Sequence, residues 1–244
     1  MTTMDPRLSD YVLGGYSVVL TNPRPAWARA VLPYRIVSRS RCLVGELADV
    51  WLDAYREREG DLETVYGQAQ ERFGLKRVAV DGLCRWYQEG QELEFDVFTA
   101  LSPAQEVVRR FLAGRPEVAI IGVGLPRAYV EEFLTGGASG PESAGFVEPF
   151  NPVLEVVKRD QLLAAGGTVL GFEPLVANGG LACSWFCNGL DREADEKLGI
   201  QTNAHGLIDS IEDAARVVRY IREDGHAEPG LWLPWLLIQY DAPS

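Results

Sequence analysis

At 244 residues, with 47% hydrophobic and 24% charged side chains, the chain can bury a full core, and this composition excludes a disordered, collagenous or disulfide-rich protein. A formal charge of −12 disfavours indiscriminate nucleic-acid binding and leaves room for binding by a basic sub-region. The longest apolar runs, Val118–Leu125 and Leu231–Ile238, fall far short of the ~20 residues of a membrane helix, so no membrane partner is expected.

The N-terminal MTTMDPRLSD has neither the basic nor the apolar region of a signal peptide. With only four cysteines, a reducing, cytoplasmic setting is expected. Charge is unevenly divided. Residues 1–115 hold 15 Lys+Arg against 16 Asp+Glu, and residues 116–244 hold 8 against 19. No acid lies between Asp10 and Glu46, where Arg24, Arg29, Arg35, Arg39 and Arg41 form a basic arm. This asymmetry predicts two modules, 1–114 and 116–244, joined at Ala113-Gly114-Arg115-Pro116.

Residues 16–20 and 34–38 are β-branched and aromatic and predict short strands. The period then changes. Leu47, Val50, Trp51, Ala54 and Tyr55 form a helical stripe, as do Leu62, Val65, Tyr66, Ala69 and Phe73. Val80, Leu83, Cys84 and Tyr87 form a third stripe, closed by Gly90, and Ser102-Pro103-Ala104-Gln105 has capping-box spacing for a fourth helix. After the junction come a buried-type strand at Val118–Val123, a short helix carrying Tyr129, Val130 and Phe133 inward, and a Gly/Ser/Pro-rich loop over 136–149. Residues 168–187 predict a hairpin around Asn178-Gly179-Gly180, and Ser210 a helix through Glu223. Pro234 marks the terminal LWLPWLLIQYD as an edge strand or a bulged pair. The expected fold class is therefore two-part: a mainly α, tri-helical, helix-turn-helix-like N-terminal domain, and a C-terminal α+β domain with an antiparallel sheet.

Arg41 and Val44, then Gly60, then Phe73-Gly74-Leu75 leading into Val80, Leu83 and Tyr87 are the positions that carry a likeness. Residues 34–90 resemble the small homeodomain-like helix-turn-helix antitoxins of bacteria, with Ser40 in place of the family's Thr and about one extra turn in the helix Leu62–Phe73. The resemblance implies DNA binding by the third helix, with Lys76, Arg77 and Arg85 on or beside it and Arg35, Arg39 and Arg41 near phosphates. The competing reading makes the three helices a structural core whose arginines pair with Asp49, Asp53 and Glu57.

Cys183 and Cys187, four residues apart, with His205 and His226, fit no short metal-ligand spacing, and neither metal nor cofactor is expected. In a strand both thiols would face one side. A cysteine enzyme would use Cys183 or Cys187 as nucleophile, His205 as base, and Asp209 or Asn203 as orienting group, with Glu173 and His205 as an alternative acid–base pair. Ile121-Gly122-Val123-Gly124-Leu125-Pro126-Arg127 invites a phosphate-binding reading but lacks the third glycine of a dinucleotide fingerprint. The acid-rich Asp191–Glu196 starts a helix.

With Asp209, Glu212 and Asp213, Asp195 and Glu196 offer a surface for a basic protein, a toxin among the candidates. The leading expectation is a non-enzymatic regulatory, antitoxin-like or immunity-like protein that binds a basic partner and, second, duplex DNA. A homodimer is a further expectation, and the cysteine enzyme is the alternative.

Overall fold

The computed structural model describes residues 7–23, 35–40, 43–50, 62–89, 93–94, 97–136, 152–177, 181–224 and 227–241. In chain order these form β1 (Tyr11–Leu20), β2 (Asn22–Pro23), β3 (Arg35–Ile36), β4 (Gly45–Glu46), α1 (Leu62–Phe73) and α2 (Arg77–Gln88). There follow β5 (Leu93–Glu94), β6 (Val97–Phe98), α3 (Leu101–Phe111), β7 (Val118–Pro126), α4 (Val130–Gly136) and α5 (Pro152–Val157). The last are β8 (Thr168–Ala177), β9 (Leu181–Ser184), α6 (Leu190–Glu193) continuing into a π-helical turn at Ala194–Leu198, α7 (Ile211–Asp224) and β10 (Leu231–Tyr240).

One eight-stranded sheet, in the order β5-β6-β1-β7-β10-β8-β9 with β4 also on β1, organises the protein, and β2 and β3 pair separately. Its pairings are antiparallel. This corrects the two-part expectation. The chain has no N-terminal helical domain, because β1 runs through the sheet and pairs with β7 from Tyr11↔Pro126 to Leu20↔Val118. The charge boundary at Gly114–Pro116 is the turn leading into that shared strand. Helical stripes announce themselves locally, whereas this pairing joins residues about a hundred positions apart.

Strands β1 and β7 are buried at every position, which removes the polar alternation that would mark a one-faced strand. On one face, Trp235 of β10 meets Phe133 of α4 edge-on at 5.3 Å, and Val153 of α5 packs over Gly14. On the other, Tyr16 and Tyr240 close edge-on at 5.4 Å across Gly122. A Cβ at Gly122 would stand 2.8 Å from Tyr240, and one at Gly124 2.7 Å from Leu163. The glycines of the IGVG run therefore let Tyr16, Tyr240 and Leu163 close against the strand backbone; they sit inside the sheet, not in a phosphate loop. Tyr11 on β1 and Phe172 on β8, with two strands between them, bring their rings within 6.2 Å. Three strand spacings of about 4.8 Å would separate them on a flat sheet, so the sheet curls toward this face.

Further corrections are local. β10 is not an edge: it lies between β7 and β8. Pro234 faces Pro174 across the β10–β8 ladder, and neither has an N–H to exchange, so the pair occupies a non-hydrogen-bonded position. Each ring's nitrogen then points toward the other neighbour, where pairing has ended, since β7 engages β10 only from Leu236 and β9 engages β8 only from Leu175. Helix α3 starts at Leu101 after Ala100, with no side-chain cap, so the capping box does not form. On α2, Trp86 is the buried aromatic and Tyr87 only half so. The expected helix from Leu47 becomes helical at Ala48, but its continuation over 51–61 lies outside the described residues, as does the loop expected over 136–149 apart from Gly136, which ends α4. Among the described residues no helix is long and apolar enough to cross a membrane.

Candidate functional site

The segment after β9 builds a solvent-accessible concavity. The Ser184 hydroxyl accepts the Phe186 N–H at 3.3 Å and turns the chain into a 3-10 helix, Trp185–Asn188. Gly189 then starts α6, and the π-helical turn widens the next five residues. Such turns displace side chains from the regular helical ladder and recur at functional sites. Asp191 and Asp195, four residues apart, line one side of a cleft of roughly 240 Å³ with Ile200, Gln201 and Thr202. Gln201 donates to Asp195 at 3.3 Å.

Asn203 shapes the following turn. Its Oδ1 accepts the N–H groups of His205 at 2.9 Å and Leu207 at 3.1 Å, and its Nδ2 donates to Leu170 O and Asp209 Oδ1, both at 2.8 Å. Ile208 exchanges backbone hydrogen bonds with Phe172, pinning the turn to β8. Ser210 caps α7 by accepting from Asp213 N at 3.1 Å.

Of the acids expected to meet a partner, Asp195 lines the cleft and Glu196 is exposed beside Arg192. Glu212 is exposed in the first turn of α7. Asp209 is exposed but held by Asn203, and Asp213 pairs with Arg216 at 2.8 Å. Gln201 and Thr202 have no candidate role from sequence, and Asp191 has only that of opening an acid-rich helix start. The Asp191/Asp195 spacing, i and i+4 on one helix face, is the available signal, although from sequence only Asp195 of the two falls on the expected partner surface.

The expected DNA contacts are dispersed. Arg39 is buried and donates to Glu46 at 2.7 Å, so its guanidinium faces the interior and does not reach a phosphate. Arg35 is in β3, and Arg41 lies outside the described residues. Lys76 and Arg85 are exposed at and along α2, while Arg77 pairs with Glu63 at 2.7 Å over the Tyr66 ring.

Cys183 is half-buried on β9 opposite Val176, and Cys187 lies beyond the strand in the 3-10 helix, its Sγ 3.5 Å from Ser40 Oγ. The two thiols therefore do not share a strand face. His205 is exposed in the Asn203 turn, and His226 lies outside the described residues. Among the described residues no three metal-ligating side chains cluster.

The expected Glu173–His205 acid–base pair does not form. Glu173 is fully buried on β8, and its oxygens accept from Ser38 Oγ at 2.5 Å, Arg39 N at 3.1 Å and the Ser184 side chain. Burial pushes its carboxyl up to about 7, opposed by those hydrogen bonds and by the Arg39 charge. Its link to His205 runs through the backbone: Val37 N, one residue before Ser38, donates to His205 O at 3.3 Å. Comparison with known protein families, with curated proteins and with solved structures finds no match for this chain.

Proposed function

We propose that the protein works by binding rather than by catalysis, engaging a basic protein partner through the acidic surface of α6, its π-helical turn and the start of α7. The observation that carries this reading is the open cleft lined by Asp191 and Asp195, with Glu196, Asp209, Glu212 and Asp213 on the same stretch of chain. A net charge of −12 adds long-range attraction to it, which raises association rates with cationic surfaces. Regulation or neutralisation of that partner, as antitoxin and immunity proteins perform it, is the proposed role.

Duplex DNA is the second partner class. Lys76, Arg85, Arg109 and Arg110 favour it: all four are exposed, and none makes an ion pair among the described residues. α2 and α3 meet where Phe111 packs over Gly82, which brings these cations onto neighbouring helices.

Native pull-down from the source cell, followed by titration calorimetry with the captured basic protein, tests the first reading. Asp195→Lys with Glu196→Lys should weaken binding at least tenfold at ~0.1 M salt while leaving thermal stability within about 0.5 kcal/mol, as exposed substitutions do. Unchanged affinity in that variant would sink the acidic-surface reading. A duplex in the same titration separates the two classes, because its affinity falls with the logarithm of salt in proportion to the phosphates neutralised.

A further inference from the structure

We propose that Glu173 is a proton-controlled latch: its carboxyl group ties the segment Ile36–Ser40 to the sheet, and through Val37 it sets the order of the Asn203–Asp209 turn beside the acidic cleft. The regulatory half of this inference rests on the partner-binding reading above; the latch itself does not.

The geometry places one buried group of β8 against the segment Ile36–Ser40 and the end of β9. Glu173 projects from β8, with Trp235 as its cross-strand neighbour on β10. Two of its acceptor contacts come from the segment, Ser38 Oγ and Arg39 N, and a third from Ser184 at the end of β9. The segment is further knitted by Ser40 N donating to Ser38 Oγ at 2.9 Å and by Leu43 and Val44 N–H groups donating to Ser40 O. One residue upstream of Ser38, Val37 holds the His205 carbonyl. The Asn203 side chain, which fixes the His205 amide, also holds Asp209. Hydrogen bonds linked by short stretches of backbone, Ser38 to Val37 and across His205, therefore lead from a buried carboxyl group to an exposed acid, alongside the Ile208–Phe172 pairing that also holds the turn.

The charged groups facing Glu173 are Arg39 on the segment and, behind its guanidinium, Glu46 on β4. β9 contributes the Ser184 hydroxyl, β10 the Trp235 ring, and the 3-10 helix contributes Cys187 through Ser40. Because Arg39 is already ion-paired to Glu46, ionising Glu173 leaves an uncompensated buried charge, and a proton on Glu173 removes it. The direction follows from linkage. A carboxyl that ionises near 7 when latched and near 4.5 when exposed binds its proton more tightly in the latched state. The latch therefore closes as pH falls and loosens as pH rises through 7. Between pH 8 and pH 5 the closing equilibrium should change by roughly 50- to 100-fold.

Amide hydrogen exchange at Val37, Arg39 and Ser40, corrected for intrinsic rates, reads this directly. Protection should rise by that factor from pH 8 to pH 5 in the wild type, vanish as a pH effect in Glu173→Gln, and persist in His205→Gln, which removes the exposed imidazole on the linked turn. Flat protection in the wild type, or the same pH dependence in Glu173→Gln, overturns the latch. Should Glu173→Gln fail to fold, the carbon-13 carboxyl titration of Glu173 in the wild type decides: a midpoint near 7 supports the latch and one near 4.5 overturns it. A decalysine peptide then probes the acidic surface. Affinity that rises from pH 8 to pH 6 in the wild type but not in Glu173→Gln supports the coupling, and parallel behaviour of the two proteins overturns it. Absence of decalysine binding at either pH counts against the acidic-surface reading while the amides still judge the latch.

Discussion

Gly15→Ala is expected to lower stability by roughly 2–6 kcal/mol, enough to unfold a large fraction of a marginally stable protein. Gly15 sits at φ 120, a region that L side chains rarely adopt, at the register shift where β1 bulges between Leu13 and Gly15. A Cβ there would also stand 1.9 Å from Val97 Cγ1 and 3.3 Å from Phe98 O. Val97 is fully buried on β6 and has no free direction in which to move. Backbone strain contributes about 1–3 kcal/mol and overpacking a similar amount. Urea denaturation measures the sum. Adding Val97→Ala should return the packing part and leave the strain. A Gly15→Ala protein within about 0.5 kcal/mol of wild type would mean that β1 does not lie against β6 as described.

Arg39→Ala carries the second large effect, and its sign separates two accounts of the basic arm. If Arg39 contacted phosphate, its removal would weaken DNA binding and spare stability. In the structure Arg39 and Glu46 are both almost fully buried and meet at 2.7 Å. Breaking a buried pair from one side costs about 3–5 kcal/mol, because the surviving charge keeps its desolvation penalty. Glu46 also lies opposite Val19 in the β4–β1 pairing, so the loss falls on a strand the sheet depends on. Chemical denaturation should show that full loss, whereas Arg39→Met combined with Glu46→Leu should recover most of it. Wild-type stability of Arg39→Ala would return the arginine to the surface.

Helices were the legible part of this sequence. The stripes over Leu62–Phe73 and Ile211–Val218 are local signals, and α1 and α7 stand where they point. The sheet was not legible to the same depth. β1 is buried on both faces and contains two adjacent glycines, so neither alternation nor β-propensity marked its first half. Pro234 signalled an edge, but a second proline opposite it makes a central position tolerable. The paired cysteines misled for a related reason: the strand ends at Ser184, and Cys187 turns away toward Ser40. The sequence offers Glu173 only as an acid–base partner for His205, yet its donors come from residues 38, 39 and 184, which no local spacing connects. The charge division marks no fold boundary, because β1 of the near-neutral half pairs along its length with β7 of the acidic half.

Expression of residues 1–114 and 116–244 as separate chains tests the central claim, that one antiparallel sheet unites the two halves and the acidic surface is built upon it. Cleaving there deprives β1 of its pairing with β7 from Tyr11 to Leu20. The prediction is that residues 1–114 alone show no cooperative unfolding transition and no dispersed amide spectrum. A fragment 1–114 that folds cooperatively by itself would contradict the account and restore the independent helical domain.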